Sequence, residues 1–209
     1  WYGIFIALGL ALAVLYCFPK MKRFGIDADR AIDAVLGGVI GGIIGARLYY
    51  VIFNWSDYKS DSFKDTFLAI INTRNGGLGI YGGIIGALLI GILICKIKKI
   101  RILPMLDVTV LGLLIGQGIG RWGNFVNQEA FGTNTELPWG MYSVKTEAYL
   151  TKLVQAGTDI AVDPSKPVHP TFLYESLWCI LSFVILYIMC KKFRKFSGQI
   201  FLGYGILYG

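Results

Sequence analysis

The sequence predicts an all-α protein: a polytopic bundle of transmembrane helices with a small external head. Three observations predict it. The chain of 209 residues is 55% hydrophobic and only 16% charged, whereas soluble domains carry about 25% charged residues. Its apolar residues come in long runs rather than alternating with polar ones. Its positive charge is concentrated in three clusters, each following an apolar run. These are Lys20, Lys22, Arg23 and Arg30; Lys96, Lys98, Lys99 and Arg101; and Lys191, Lys192, Arg194 and Lys195, together twelve of the 20 Lys and Arg. The apolar content excludes a disordered chain. Four cysteines are too few for a disulfide scaffold. A nucleic-acid partner would require base gathered on one face with interleaved aromatics, and none is expected. Basic clusters between apolar runs instead follow the positive-inside rule and mark cytoplasmic loops.

The elements follow in order. Residues 1–18 carry no charge and reach across a core of about 30 Å at about 1.5 Å per residue. Residues 34–53 are the second span, with Arg47 embedded, and residues 77–95 the third. The fourth, 104–120, opens on Pro104, a residue suited to a first helical turn. The fifth is 172–190. The sixth, 198–209, gives only about 18 Å of helix and is expected to be truncated. A chain that starts at Trp1 without methionine fits that expectation of a fragment. Residues 1–18 also lack the basic n-region and cleavage site of a signal peptide.

If the basic loops lie inside, segments 54–76 and 121–171 lie outside. The first is charge-balanced, with Lys59, Lys64 and Arg74 against Asp57, Asp61 and Asp65. The second carries Pro138, Pro164, Pro167 and Pro170 and is expected to form a head inserted between spans four and five. Residues 1–209 thus read as one transmembrane domain. Glycines at i, i+4 (Gly37, Gly41 and Gly45; Gly38 and Gly42; Gly82 and Gly86; Gly112, Gly116 and Gly120) let helix backbones approach closely in lipid. They are packing devices and carry no chemistry.

Charged groups inside spans are expensive and mark candidate functional sites. Arg47 sits about 10 Å deep in the second span, from which arginine can snorkel to the outer surface. Tyr2 lies at the outer end of the first span and Tyr81 one turn into the third, among glycines. The strongest local feature is Gly120-Arg121-Trp122-Gly123-Asn124-Phe125-Val126-Asn127-Gln128-Glu129-Ala130-Phe131-Gly132. In a continuing helix, Arg121, Asn124, Gln128 and Glu129 share a face. The arginine fork suits phosphate. Asn124 and Asn127 add amide donors, and Glu129 either orients Arg121 or takes a proton. A structural Arg–Glu pair closing the helix is the alternative reading. His169, the single histidine, and Glu175 lie where the head joins the fifth span. His169 is either a base or a structural hydrogen-bonder. All these groups fall on the outer side, whereas a transporter would place polar groups near the midplane between repeats. A cationic pocket at headgroup depth suits a phospholipid anion. The cysteines show no metal spacing, and neither metal nor cofactor is expected.

The thirteen-residue block resembles the signature of bacterial prolipoprotein diacylglyceryl transferases. Other segments agree in order: Trp1-Tyr2-Gly3, Gly45-Ala46-Arg47 with Tyr50-Val51, Gly76-Gly77 through Gly82-Gly83, and His169-Pro170 with Tyr174-Glu175. The resemblance covers essentially the whole chain. It implies a seven-helix protein of the bacterial inner (cytoplasmic) membrane, with its site on the outer side. It implies transfer of diacylglyceryl from phosphatidylglycerol to the lipobox cysteine of a prolipoprotein signal peptide, with release of glycerol phosphate. It also implies site roles for Arg121, Asn124, Glu129, Gly132 and Tyr2. Two departures stand out. Tyr81 occupies the place of a histidine that many members carry. The family also has an arginine and a glutamate just beyond the segment ending in Leu207-Tyr208-Gly209.

Joined to the residues, the expectation is that Arg121, with Arg47, holds the phosphate. A cysteine thiolate attacks the glyceryl carbon. Tyr81 or Glu129 takes the proton, with Tyr81 needing a nearby arginine to do so. Asn124, Asn127, Gly132, His169, Glu175 and Tyr2 line the substrate site. Composition and spacing alone reach only a membrane bundle with an outward cationic pocket. They leave non-catalytic phospholipid binding and small-solute transport open.

Overall fold

A computed structural model describes residues 2–60, 62–73, 76–157 and 162–208. The described residues form helices joined by turns, with only two isolated β-bridges. The eight α-helices are α1 (Tyr2–Met21), α2 (Ala28–Phe53), α3 (Phe63–Ile71), α4 (Ile80–Ile97), α5 (Ile102–Asn127), α6 (Val144–Gln155), α7 (Thr171–Ile188) and α8 (Gln199–Tyr208). Five helical stretches are long and apolar enough to cross a membrane, and α8 is a shorter apolar helix. The fold class is therefore the expected one, a multi-pass α-helical membrane protein.

The chain divides into two compact units, Met21–Met105 and the pair Trp1–Lys20 with Leu106–Gly209. In the first, α2 packs on α4 through the expected glycine stripe. A Cβ placed on Gly41 would sit 2.7 Å from the carbonyl oxygen of Gly86, and one on Gly45 would sit 2.9 Å from the Cα of Gly86. Backbone meets backbone here, so no side chain can give way. Gly45→Ala is expected to destabilise this unit by about 1–3 kcal/mol, the usual cost of overpacking. Gly38→Ala, where the added methyl would stand 3.5 Å from the nearest atom, is expected to be neutral or slightly stabilising. Thermal unfolding of the two variants in one detergent checks the contrast.

At the other end of this unit the basic residues find partners. Lys98 pairs with Asp33 at 2.7 Å, and Arg30 pairs with Asp27, which also caps α2. Arg101 donates to the carbonyls of Phe24 and Gly25. Residues 54–76, expected as a plain loop, hold a short 3-10 turn and α3. Phe63, Phe67, Leu68 and Ile71 of α3 are exposed.

In the second unit, α1 runs antiparallel to α5. Gly9 meets Gly116, Gly112 meets Ala13 and Cys17, and the Cys17 thiol donates to the carbonyl of Val108 at 3.3 Å. Leu111 and Leu114 of α5, Cys179 and Leu186 of α7, and Ile200 of α8 form a buried core. Between α5 and α7 lie α6 and two isolated bridges. Val168 bridges both Asn134 and Met141, and Ser143 with Thr146 forms a capping box at the start of α6. The Asn134 side chain is paired with the backbone of Asp163 in both directions. The Ser165 hydroxyl and amide hold the Asp163 carboxyl below its usual range.

Candidate active site

The fourth span is longer than 104–120. The helix continues through Arg121 and Asn124 to Asn127. It ends there because Gln128 turns left-handed, at φ +55°. The Gln128 amide then donates to the carbonyl of Phe125, and the Glu129 amide to that of Asn124, the pattern of a Schellman cap. Such a cap usually takes glycine at the left-handed position, and Ala130 is also left-handed, at φ +53°.

That ending decides what Glu129 does. The shared face expected of a continuing helix is broken, and Glu129 folds back over the last turn. Its Oε1 accepts from Asn124 at 3.3 Å and from Asn127 at 3.1 Å. Glu129 is thus held by two amides rather than paired with Arg121.

The partner of Arg121 is Glu175, four residues into α7 from its start at Thr171. The same guanidinium nitrogen, Nη2, stands 3.5 Å from the Tyr208 hydroxyl of α8. Among the described residues, Nε and Nη1 have no partner, and the side chain is about one-third exposed. Below it, Trp122 donates to the Ser176 hydroxyl, which donates to the carbonyl of Gly118. Gln117 pairs with the Tyr204 hydroxyl at 3.0 Å. Three helices therefore fix one face of the arginine and leave the other edge of the fork open.

Gly132 is where the segment after α5 meets the residues that lead into α7. Its amide donates to the carbonyl of His169 at 2.9 Å, and a Cβ there would sit 2.9 Å from the His169 Cβ. Glycine is required by that approach. The Thr171 hydroxyl donates to the carbonyl of Ala130. His169 Nδ1 stands 3.1 Å from the Tyr174 hydroxyl, which also accepts from the Trp139 indole at 2.9 Å. The Tyr174 hydroxyl thus links the Trp139 indole to the His169 ring.

The remaining expected residues lie elsewhere. The Tyr2 side chain is outside the described residues. Arg47 and Tyr81 belong to the unit Met21–Met105. Arg47 is buried, at 7% exposure, and does not snorkel. Its Nε donates to Ile70, Nη1 to Gly76 and Gly77, and Nη2 to Ala69 and Asn72, all to carbonyls at 2.6–3.1 Å. Those five bonds engage all five N–H groups of the guanidinium, so none is free for a phosphate. Arg47 ties the end of α3 and the Gly76-Gly77 loop to α2. Tyr81 is two-thirds exposed, with the Tyr49 ring centre 6.3 Å away.

Sequence reasoning passed over Gln117, Tyr204, Tyr208 and Asp107. Gln117 and Asp107 carried a visible signal, as polar residues inside an apolar run. The tyrosines carried none, because they meet α5 across 87 residues of chain. Among the described residues no group of three His, Cys, Asp or Glu could hold a metal ion.

Comparison with known proteins bears on the same block. The chain matches the family described as prolipoprotein diacylglyceryl transferase over residues 1–209. It is 42% identical over 208 residues to the phosphatidylglycerol–prolipoprotein diacylglyceryl transferase of Clostridioides difficile, covering all of this chain and 73% of that protein. A Finegoldia magna protein of the same name is 43% identical over 209 residues, covering all of this chain and 74% of its own length. One from Listeria monocytogenes is 39% identical over 212 residues, again covering all of this chain and 70% of its own length. With a match that runs from end to end and includes the Arg121 block and the helix bearing Glu175, this chain belongs to the prolipoprotein diacylglyceryl transferase family.

Proposed function

We propose that this protein transfers the diacylglyceryl group of phosphatidylglycerol to the thiol of a lipobox cysteine in a prolipoprotein. The observation that carries the reading is the half-engaged guanidinium of Arg121, a fixed fork with an open edge. A phosphodiester oxygen on Nε and Nη1 would be held through charge-assisted hydrogen bonds. The cysteine thiolate attacks the glyceryl carbon bonded to the phosphate oxygen. The new C–S bond forms as that C–O bond breaks, and its electron pair leaves on glycerol phosphate. Arg121 stabilises the growing negative charge on the leaving group.

The thiol proton needs an acceptor, for which Tyr81 and Glu129 are the candidates. Tyr81 has Tyr49 as its ring neighbour, and Arg47 of the same unit has its donors engaged. Asn124, Asn127 and Gly132 shape the turn that holds Glu129, and His169 with Glu175 fixes the start of α7. In each unit the basic clusters stand at the helix ends opposite these polar groups. That arrangement supports a multi-pass protein of the bacterial cytoplasmic membrane with its site facing outward.

The test is transfer of labelled diacylglyceryl from phosphatidylglycerol to a lipobox peptide by the intact protein in liposomes. Label is expected on the peptide, and not on a peptide with serine in place of cysteine. Retained phospholipid without transfer would favour the non-catalytic binding reading. In the same assay, Glu129→Gln and Tyr81→Phe identify the base. Loss of the proton acceptor is expected to slow transfer about 10²-fold or more. Smaller losses in both variants would remove both residues from that role.

A further inference from the structure

We propose that Asp107, in the first turns of α5, is a positioning residue for Arg121 and acts through α8. The proposal rests on the transferase reading for its kinetic consequence, but its geometry stands alone.

Asp107 is completely buried. A carboxylate in that position is strongly disfavoured unless its lone pairs are met. Here they are met by the start of another helix. Oδ1 accepts from the backbone amides of Ile200 at 2.9 Å and Phe201 at 3.0 Å. Oδ2 accepts from the amide of Gly198 at 2.8 Å and from Arg194 Nη2 at 3.1 Å and Nε at 3.3 Å. The first amides of a helix have no partner within it, and a negative charge there is favoured. Asp107 is therefore the N-terminal cap of α8, supplied from 91 residues earlier in the chain.

This cap supplies something the rest of α8 lacks. Most of its sequence, Ile200, Phe201, Leu202, Gly203, Gly205, Ile206 and Leu207, is apolar or glycine. In lipid such a surface has little preference for one register over the next. Sliding by one residue moves the helix about 1.5 Å and turns it about 100°. Such a slip carries Tyr204 off Gln117 and Tyr208 off Arg121. The capped turn, the Gln117–Tyr204 bond and the Arg121–Tyr208 contact are three successive ties between α5 and α8. Asp107 lies 14 positions before Arg121, about 21 Å along the helix, so it never touches the reacting atoms.

The experiment has two readouts in the intact protein. Paramagnetic labels at the exposed positions Leu113 on α5 and Leu202 on α8 report the register directly. Asp107→Asn places an amide donor against the donors of Gly198 and Arg194. It is expected to shift or broaden the label distance by about 3 Å, two residues of helical rise. Should that variant fail to accumulate, the pair Asp107→Asn/Arg194→Gln removes both charges together and is expected to give the same shift. The second readout is a double-mutant cycle with Tyr208→Phe. Asp107→Asn is expected to slow transfer about tenfold with Tyr208 present and less than about threefold without it. An unchanged label distance overturns the proposal. So do equal losses in the two backgrounds, the signature of a merely structural role. A wild-type protein without transfer activity would sink the transferase reading and leave the distance result to judge the register.

Discussion

Arg121→Ala is expected to reduce diacylglyceryl transfer about 10³-fold, the scale lost when a preorganised charge-stabilising group is removed. The size follows from how the guanidinium is held. Glu175 and Tyr208 fix Nη2, so the remaining donors are aimed before substrate arrives and cost little to order. Arg121→Lys is expected to recover little of the loss. A lysine brings the charge but not the planar pair of donors, and it cannot meet Glu175 and a phosphate with the same geometry. Initial rates with phosphatidylglycerol and a lipobox peptide, normalised to folded protein, measure both variants. Near-normal rates for Arg121→Ala would end the mechanism.

Arg47→Ala is expected to act on stability instead. The side chain is buried and donates to five carbonyls. Three of those belong to the end of α3 or just after it, at Ala69, Ile70 and Asn72, where helix carbonyls lack partners of their own. Truncation leaves all five to find water or go unpaired. The expected cost is about 3–5 kcal/mol, the range for removing one member of a buried charged network. Arg47→Lys is expected to recover only part of it, because one ammonium cannot reach five acceptors spread over residues 69–77. Denaturant unfolding in detergent gives the magnitude. Hydrogen exchange gives the location: amides of 69–79 are expected to lose protection while those of α7 keep it. An effect on transfer with no loss of protection in 69–79 would instead point to a direct part in the reaction.

The fold class was legible in the sequence because lipid imposes it. Only helices satisfy every backbone group within a long apolar segment, so uncharged runs of sufficient length translate directly into spans. The glycine stripe was legible for a similar reason: close helix approach in lipid needs small residues, and α2 meets α4 along it. Ends of elements were less legible. The fourth span gained seven residues at its C-terminal end, since Gly120 and Gly123 do not stop the helix and a left-handed Gln128 does. Helix α3 was hidden because its nine residues fall short of any span.

The identity of the block around Arg121 was determined by sequence alone, since the types and spacing of its residues are local facts. Their partners were not. Glu129, eight residues further on, was the carboxylate expected to orient Arg121. The Schellman turn gave Glu129 to Asn124 and Asn127 and left Arg121 to Glu175, 54 residues away. Arg47 looked as suited to phosphate as Arg121. Only the folded chain shows one fork filled by carbonyls and the other half open. Residue types record which hydrogen bonds a side chain is able to make. Which of them it makes depends on what the fold brings within about 3 Å of it, and in a bundle of helices those neighbours come from distant parts of the chain.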